Sequence, residues 1–496
     1  MNLFESKVSK LMGIPVKGYQ DELRTDKIKR AVELYEWAIN DDQNIIRQLK
    51  SRLRKSNLIN EDTYNRFPAW NYINGIPKIL NIICTLYYKA PIRYVVTNGQ
   101  IDEKHTKLLN EYISNSNLNE ACSEALKLAW LYKVARIMPI IRNNQIEFDV
   151  LLPFQTELEP EEDNPYKLKN LAILNEVWSK NKMERIIVVW TSNEHFIYDA
   201  NLNKLPIEKN GKSNNYINPY GTIPIATLWL ETTDIWGDPE YKLVEHYASN
   251  SLINIWKDYV SFFHAGGIPV ISNADMEGSS SENMSNRNIK INGIDISSNR
   301  GEKNFRLSPD SLIQLNSDLA QQANFKFETP QSNLELLQHL IDWDTNKNLS
   351  LYNIPKNAFL ADRIPESGYS KMIDEIEIVN ARKRHLLACS SMEKELFEVI
   401  KIILNYNYNV KFPDNSTIKV DYAEYDFIKS PNEAAHEMEL SIKYNIKSPI
   451  DYILQSNPEL SIQEAENIFN YNLKINSNLG QSAEPRGTRI LGTRYE

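Results

Sequence analysis

IPKNAFLADRIPESGYSKMIDEIE, residues 354–377, is the stretch on which the architecture turns. A helix-like run ends at Pro355, a loop of about a dozen residues follows, and Ser367-Gly368 opens a second, far longer helix. From Tyr369 to Phe412 the chain holds neither glycine nor proline, so nothing local interrupts that helix. A loop held between two long helices, past the middle of the chain, suits a moving gate better than a catalytic centre.

Upstream of this stretch, Thr329-Pro330-Gln331 precedes a helix expected from about 332 to 352, striped by Leu334, Leu337, Leu340 or Ile341, and Leu349. Residues 272–300 are polar, with β-like pieces at 289–291 and 294–296 around an Asn-Gly hairpin signal. Order resumes at Arg306–Leu315. Asp238-Pro239-Glu240 starts another helix running to about His264, with Val244, Ala248, Leu252, Ile255, Tyr259 and Phe262 on one face. Proline in its first turn and Gly266-Gly267 past its end give the expected asymmetry.

Further out, residues 20–60 and 103–136 carry helical spacing, 76–88 is an apolar helix or buried segment, and 89–96 reads as a strand. Residues 137–142, 146–152, 185–191 and 195–199 are short β-prone runs, with a helix expected near 167–180. Asn218-Pro-Tyr-Gly-Thr-Ile-Pro-Ile closes this module as a turn feeding a strand. Downstream, 411–425 is β-prone. Three short helices near 431–444, 448–456 and 461–474 each begin at Ser-Pro or Ser-Ile. The final stretch, 476–496, reads as a flexible tail.

The chain has 496 residues, enough for two to four folding units with a real core. Sixteen glycines argue against a glycine-rich nucleotide fold, and a net charge of −9 argues against a simple polyanion binder. Cys84, Cys122 and Cys389 are far apart, which disfavours a disulfide framework or structural zinc. The start, MNLFESK, lacks a secretory pattern, and no apolar run reaches the ~18 residues that span a bilayer. The expectation is a chain made in the cytoplasm, without a membrane partner or cofactor.

The order of parts over roughly residues 25–475 resembles the portal proteins, the head–tail connectors of tailed bacteriophages. Three strings carry the likeness locally: Asn218–Ile225 before the first stem helix, Arg306–Leu315 leaving the clip, and Ile354-Pro355 joined to Ser367-Gly368. The resemblance implies an α+β, mainly helical portal fold. An N-terminal arm (1–24) precedes an α/β wing (25–237) and a first stem helix (239–265). A small α/β clip (268–328) and a second stem helix (331–352) follow. A tunnel loop (353–369), a long helix with the rest of the wing (370–428), a helical crown (429–475) and the tail complete the chain. The Ser/Asn-rich clip does not match the family residue by residue.

The same resemblance implies a non-enzymatic ring of twelve at a capsid vertex of the virion, assembled in the host cytoplasm. It would pass double-stranded DNA during packaging and ejection. Its partners would be the terminase large subunit, a head–tail adaptor, and the major capsid and scaffolding proteins. Twelve copies of a −9 chain make a strongly negative body, so DNA would be held weakly and without sequence preference at sparse basic rings. Lys356, Asn357, Arg363, Ser367 and Gly368 are the tunnel-loop candidates. Lys257 and Lys347 are the candidates for the stem lumen.

Chemical motifs are thin. Gly211-Lys212-Ser213 lacks the earlier glycine of a phosphate loop, Pro206 standing there. The seven histidines are scattered, with no HExxH. Glu157, Glu159, Glu161, Glu162 and Asp163 offer the paired carboxylates of a hydrolase or nuclease, the alternative reading. A solvated loop broken by Pro160 and Pro165 is the plainer expectation. Arg382-Lys-Arg-His385 points all round its helix and is expected as a solvated or inter-subunit charge cluster, with a DNA contact as the lesser reading. Arg486–Tyr495 is a modestly basic tail segment. A monomeric helical scaffold is the third functional class.

Overall fold

The computed structural model describes residues 22–56, 71–179, 182–199, 201–206, 208–209, 212–213, 216–231, 233–264, 268–272, 313–315, 324–328, 334–359, 368–423, 431–457 and 462–480. Helices α1 (Glu22–Ala38), α2 (Asp42–Ser56) and α3 (Ile76–Ile83) come first. Strand β1 (Ile92–Thr97) returns as β2 (Gln100–Ile101) through Asn98 and Gly99, whose φ angles are 52° and 82°. Asn-Gly in two left-handed positions is the tight turn that matches strand twist. Asp102 caps α4 (Glu103–Ile113) by accepting the His105 amide at 3.1 Å.

Helix α5 (Leu118–Tyr132) ends at Lys133, left-handed at φ 69°, and β3 (Val134–Arg142) starts at the next residue. The helical pattern expected across 103–136 is therefore two helices and a strand. Asn143 and Asn144, at φ 51° and 60°, turn β3 into β4 (Gln145–Leu151). Strands β5 (Thr156–Pro160), β6 (Leu168–Ser179), β7 (Lys182–Thr191), β8 (His195–Tyr198) and β9 (Lys204–Leu205) form an antiparallel sheet in that order. Strand β6 replaces the helix expected near 167–180. Leu171, Ala172 and Ile173 are buried in succession because neighbours cover both faces, and such a run carries no strand periodicity.

Strands β10 (Glu208–Lys209) and β11 (Lys212–Ser213) pair, and β12 (Ala226–Trp229) joins β3 and β4 in the order β12-β3-β4. Helix α6 (Lys242–His264) precedes a three-stranded sheet of β13 (Ile268–Ser272), β14 (Ile313–Leu315) and β15 (Asn324–Glu328). There β14 runs parallel and β15 antiparallel to β13. Helix α7 (Leu334–Leu351), one-turn α8 (Lys356–Phe359) and α9 (Gly368–Tyr408) follow. Strand β16 (Ser416–Asp421) pairs along β1. The pieces expected at 289–291 and 294–296, residues 1–21 of the N-terminal arm and the tail after 480 lie outside the described residues.

The chain is thus α+β, and it divides into two compact units: Met1–Ile364 with Asp374–Glu424, and Pro365–Ile373 with Tyr425–Glu496. In the second, α10 (Pro431–Lys443), α11 (Pro449–Ser456) and α12 (Ile462–Gly480) start at the expected Ser-Pro and Ser-Ile signals. At α11 the signal is a capping box: Ser448 Oγ accepts the Asp451 amide at 3.2 Å, and Asp451 accepts the Ser448 amide at 2.7 Å.

Three clusters of buried apolar side chains lie in the first unit, and the largest includes one face of α9. On α9 the buried positions are Ile378, Arg382, His385, Cys389, Met392, Glu393, Leu396, Phe397, Val399, Ile400, Ile403 and Leu404, a single helical face. Three polar residues therefore sit on an apolar stripe. Arg382 and His385 are 8 % and 7 % exposed, so the expected solvated charge cluster is corrected for these two residues, while Lys383 and Arg384 do face outward. Four successive residues do point all round a helix, but two of them fall on the face that meets the core. Arg382 donates through Nη1 to the Thr85 carbonyl at 2.9 Å and through Nη2 to the Ala423 carbonyl.

Glu393 meets Arg93, a buried residue of β1. Arg93 donates from Nε to Oε2 at 2.6 Å and from Nη2 to Oε1 at 3.0 Å, while Nη1 reaches Asn119 Oδ1 at 2.8 Å. The Tyr87 hydroxyl adds a bond to Glu393 Oε1 at 3.0 Å. Burial works against the Arg93 charge, but the field and bonds of Glu393 outweigh it and hold its pKa above the ordinary value. Glu393→Ala, which strands a buried guanidinium, is expected to cost about 3–5 kcal/mol in urea unfolding. An Arg93→Met/Glu393→Leu double variant should lose much less. Equal losses in the two variants would show that the ion pair is not the source.

Candidate functional site: the α6–α7 helix pair

Helices α6 and α7 run antiparallel, tied by three side-chain rungs. His246 Nδ1 lies 2.9 Å from Asp344 Oδ2, Asn250 Nδ2 donates to Thr345 Oγ1 at 3.4 Å, and Lys257 Nζ donates to Gln338 Oε1 at 2.9 Å. Burial falls off along the pair. At one end Leu243, Val244, Tyr247, Ala248, Ile255, Ile341 and Leu349 join the buried set. Toward the other end α7 is more exposed: Leu336 is 61 % exposed, Leu340 43 % and Trp343 60 %. Those three are spaced i, i+4, i+7 and share one face. The expected stripe chose between Leu340 and Ile341, and Ile341 is the buried one.

The buried end is anchored by polar groups. Ser251 Oγ accepts the Ile73 amide at 2.9 Å and donates back to its carbonyl at 3.1 Å, and Asn254 Nδ2 donates to the Asn71 carbonyl at 2.9 Å. Tyr352, just past α7, donates to Glu240 Oε1 at 3.1 Å. Tyr247 lies against Gly75 and Phe359 so closely that a Cβ on Gly75 would collide with both rings. Lys78 Nζ stands 5.0 Å over the Phe359 ring, and α8 packs on α3. The backbone beginning the 353–369 segment is thereby fixed to the core at Phe359.

Lys257 is half-buried in its rung, and Lys347 is exposed with Nζ 5.2 Å over the Trp343 ring of its own helix. Lys356 is exposed at the start of α8, Asn357 follows it in the same turn, and Gly368 begins α9. Arg363 and Ser367 lie outside the described residues. The rungs and the Phe359 seat carry no sequence motif. The one readable sign is a row of polar residues, His246, Asn250 and Asn254, at four-residue spacing on a helix with an apolar opposite face.

The acidic segment is not a solvated loop at its start. Glu157 and Glu159 lie in β5, Glu157 buried, while Glu159 accepts from Asn170 Nδ2 at 2.5 Å. Glu161 pairs with Lys167 at 3.1 Å. Each of these two carboxylates has its own partner instead of facing the other across a shared site. Lys212 and Ser213 are strand residues of β11. Among the described residues, no group of three or more His, Cys, Asp or Glu side chains is placed to hold a metal ion. None of the described helices is long and apolar enough to cross a membrane.

Gly75→Ala is expected to displace Tyr247 and Phe359, costing about 1–3 kcal/mol of unfolding free energy. Amide exchange at 356–359 should rise with it. Unchanged protection there would mean that Phe359 is not what holds α8.

No family model matches the chain, and no curated protein does. Solved structures do at low identity. A chain of the virion of a native gene transfer agent particle is 10 % identical, covering 91 % of this chain and 98 % of its own, with a TM-score of 0.39. A chain of the neck of an empty gene transfer agent particle, computed with C6 symmetry, is also 10 % identical, covering 80 % and 93 %, with a TM-score of 0.39.

Proposed function

We propose that this chain is a bacteriophage portal protein, one of twelve copies in a ring at a capsid vertex that passes double-stranded DNA. The observation that carries the reading is the burial gradient of α6 and α7. A helix pair is rooted in the core at one end and joined at the other to the small β13–β15 sheet. On α7, Leu340 and Trp343 are 43 % and 60 % exposed. Short helix pairs are marginal alone in water, and a face of that kind is stabilised by neighbours. In this reading α6 and α7 are the stem, 268–328 the clip that docks the terminase large subunit and then the head–tail adaptor, and 429–475 the crown. Residues 25–237 and 370–428 form the wing, and the capsid and scaffolding proteins are further partners of the ring.

The segment 353–369 is then the tunnel loop. Its root at Phe359 is fixed, and Lys356, Asn357 and Arg363 meet DNA phosphates weakly, bending where α9 begins at Gly368. Lys257 and Lys347 supply sparse positive charge along the stem. The protein is structural and uses no cofactor.

Native mass spectrometry and negative-stain imaging of the full chain at micromolar concentration are expected to show rings with a central channel. A stable monomer would sink the reading. Leu340→Asp with Trp343→Asp should reduce ring yield without lowering the monomer's melting temperature. For the gate, cross-links between the 353–369 segments of neighbouring subunits should stop DNA packaging while rings persist, and undiminished packaging would remove the gating role.

A further inference from the structure

The contacts around His246 define its protons. Nδ1 faces the Asp344 carboxylate at 2.9 Å and therefore carries hydrogen. Nε2 faces Asn250 Nδ2 at 3.3 Å and therefore accepts. The same amide nitrogen reaches Thr345 Oγ1 at 3.4 Å. A neutral imidazole thus completes a chain, Asp344–His246–Asn250–Thr345, that leaves α7, crosses to α6 and returns. The His246 side chain is 8 % exposed, and Asn250 is 1 % exposed.

We propose that this chain is a proton-operated latch: a proton arriving at His246 Nε2 removes the acceptor used by Asn250 and loosens α6 from α7. With both ring nitrogens donating, the Asn250 N–H faces another N–H. Its amide must turn over, and the bond to Thr345 is lost or remade with the donor reversed. The gain against this is a charged pair with Asp344, whose side chain is 33 % exposed and so partly screened by water.

The surroundings decide the sign. Burial lowers the His246 pKa below its ordinary 6.5, and the opposing pull of Asp344 does not restore it. The latched state therefore resists the proton more than the open state does. Its stability is full above pH 6.5 and declines as pH falls toward the lowered pKa. On α6, Lys242 and Glu245 are exposed. On α7, Asp342 accepts from Gln338 Nε2 at 3.2 Å and Lys347 lies over Trp343. From α1 and α2, which also pack on α6, Glu33 and Arg52 are both bonded to the Tyr241 hydroxyl. Asp344 is the charge whose field registers at His246.

His195, half-buried, and His385, buried, also have pKa values pushed down to about 4 by burial, so whole-chain melting in acid mixes several sites. The test is therefore local, and it does not depend on ring formation. Hydrogen exchange of the full chain, corrected for intrinsic rate, is followed in peptides covering 242–256 and 341–351 at a series of pH values from 7.5 to 4.5. Exchange there should rise several-fold below pH 6.5, ahead of peptides from β3 and β4. Asp344→Asn, which removes the charge favouring protonation, should move that rise to lower pH. His246→Gln should abolish its pH dependence whatever its absolute rate. A rise of equal size and midpoint in His246→Gln, or no local rise in the natural chain, overturns the latch.

Discussion

The buried pair of Arg93 and Glu393 fixes the register of the first unit. Helix α9 presents so many similar apolar side chains on one face that a slide by one turn would still set hydrocarbon on hydrocarbon. Such a slide would part the guanidinium from its carboxylate and leave two desolvated charges, a loss of several kcal/mol. The bond to Asn119 ties α5 into the same arrangement, and Tyr87 ties in the segment after α3. Strand β16, paired with β1 from Ile92–Asp421 to Thr97–Ser416, brings the chain back alongside the pair. Once Arg93 is seated, β1, α5, α9 and β16 have one mutual position.

The helix pair obeys the opposite rule. Its contact is built from hydrogen-bonded polar groups, and these hold geometry without supplying much net free energy. Apolar burial is concentrated where α6 leaves the core and where α7 re-enters it. The rungs at His246 and Asn250 lie within that buried end, and the rung at Lys257 keeps the two helices aligned beyond it. An element made this way is well defined in direction and weakly self-sufficient, which is what a part stabilised by neighbours requires.

Much of this was legible because local chemistry and tertiary packing agree. Absence of glycine and proline announced α9, Ser-Pro announced α10 and α11, and β1 emerged from its β-branched run. The failures came where packing overrode local pattern. Strand β6 reads as a helix because a strand covered on both faces loses its alternation. Arg382 and His385 read as solvated because four successive residues point all round a helix, yet both fall on the stripe running from Ile378 to Leu404 that meets the core. Glu393 sits on that same stripe, and its partner lies 300 positions upstream, a distance no periodicity can bridge. The rungs of α6 and α7 were invisible for the same reason, since each needs a side chain from the other helix.

The three cysteines sit in the same interior: Cys84 closes α3, Cys122 lies on α5 and Cys389 on α9, all unpaired and buried. Burial, first among the causes, keeps each thiol protonated, with Cys389 pushed up to about 12. A protonated thiol without solvent access is neither a nucleophile nor a metal ligand. The speed at which an alkylating reagent consumes these sulfurs therefore counts how often the interior comes apart, giving the molecule an internal clock read from three separate segments at once.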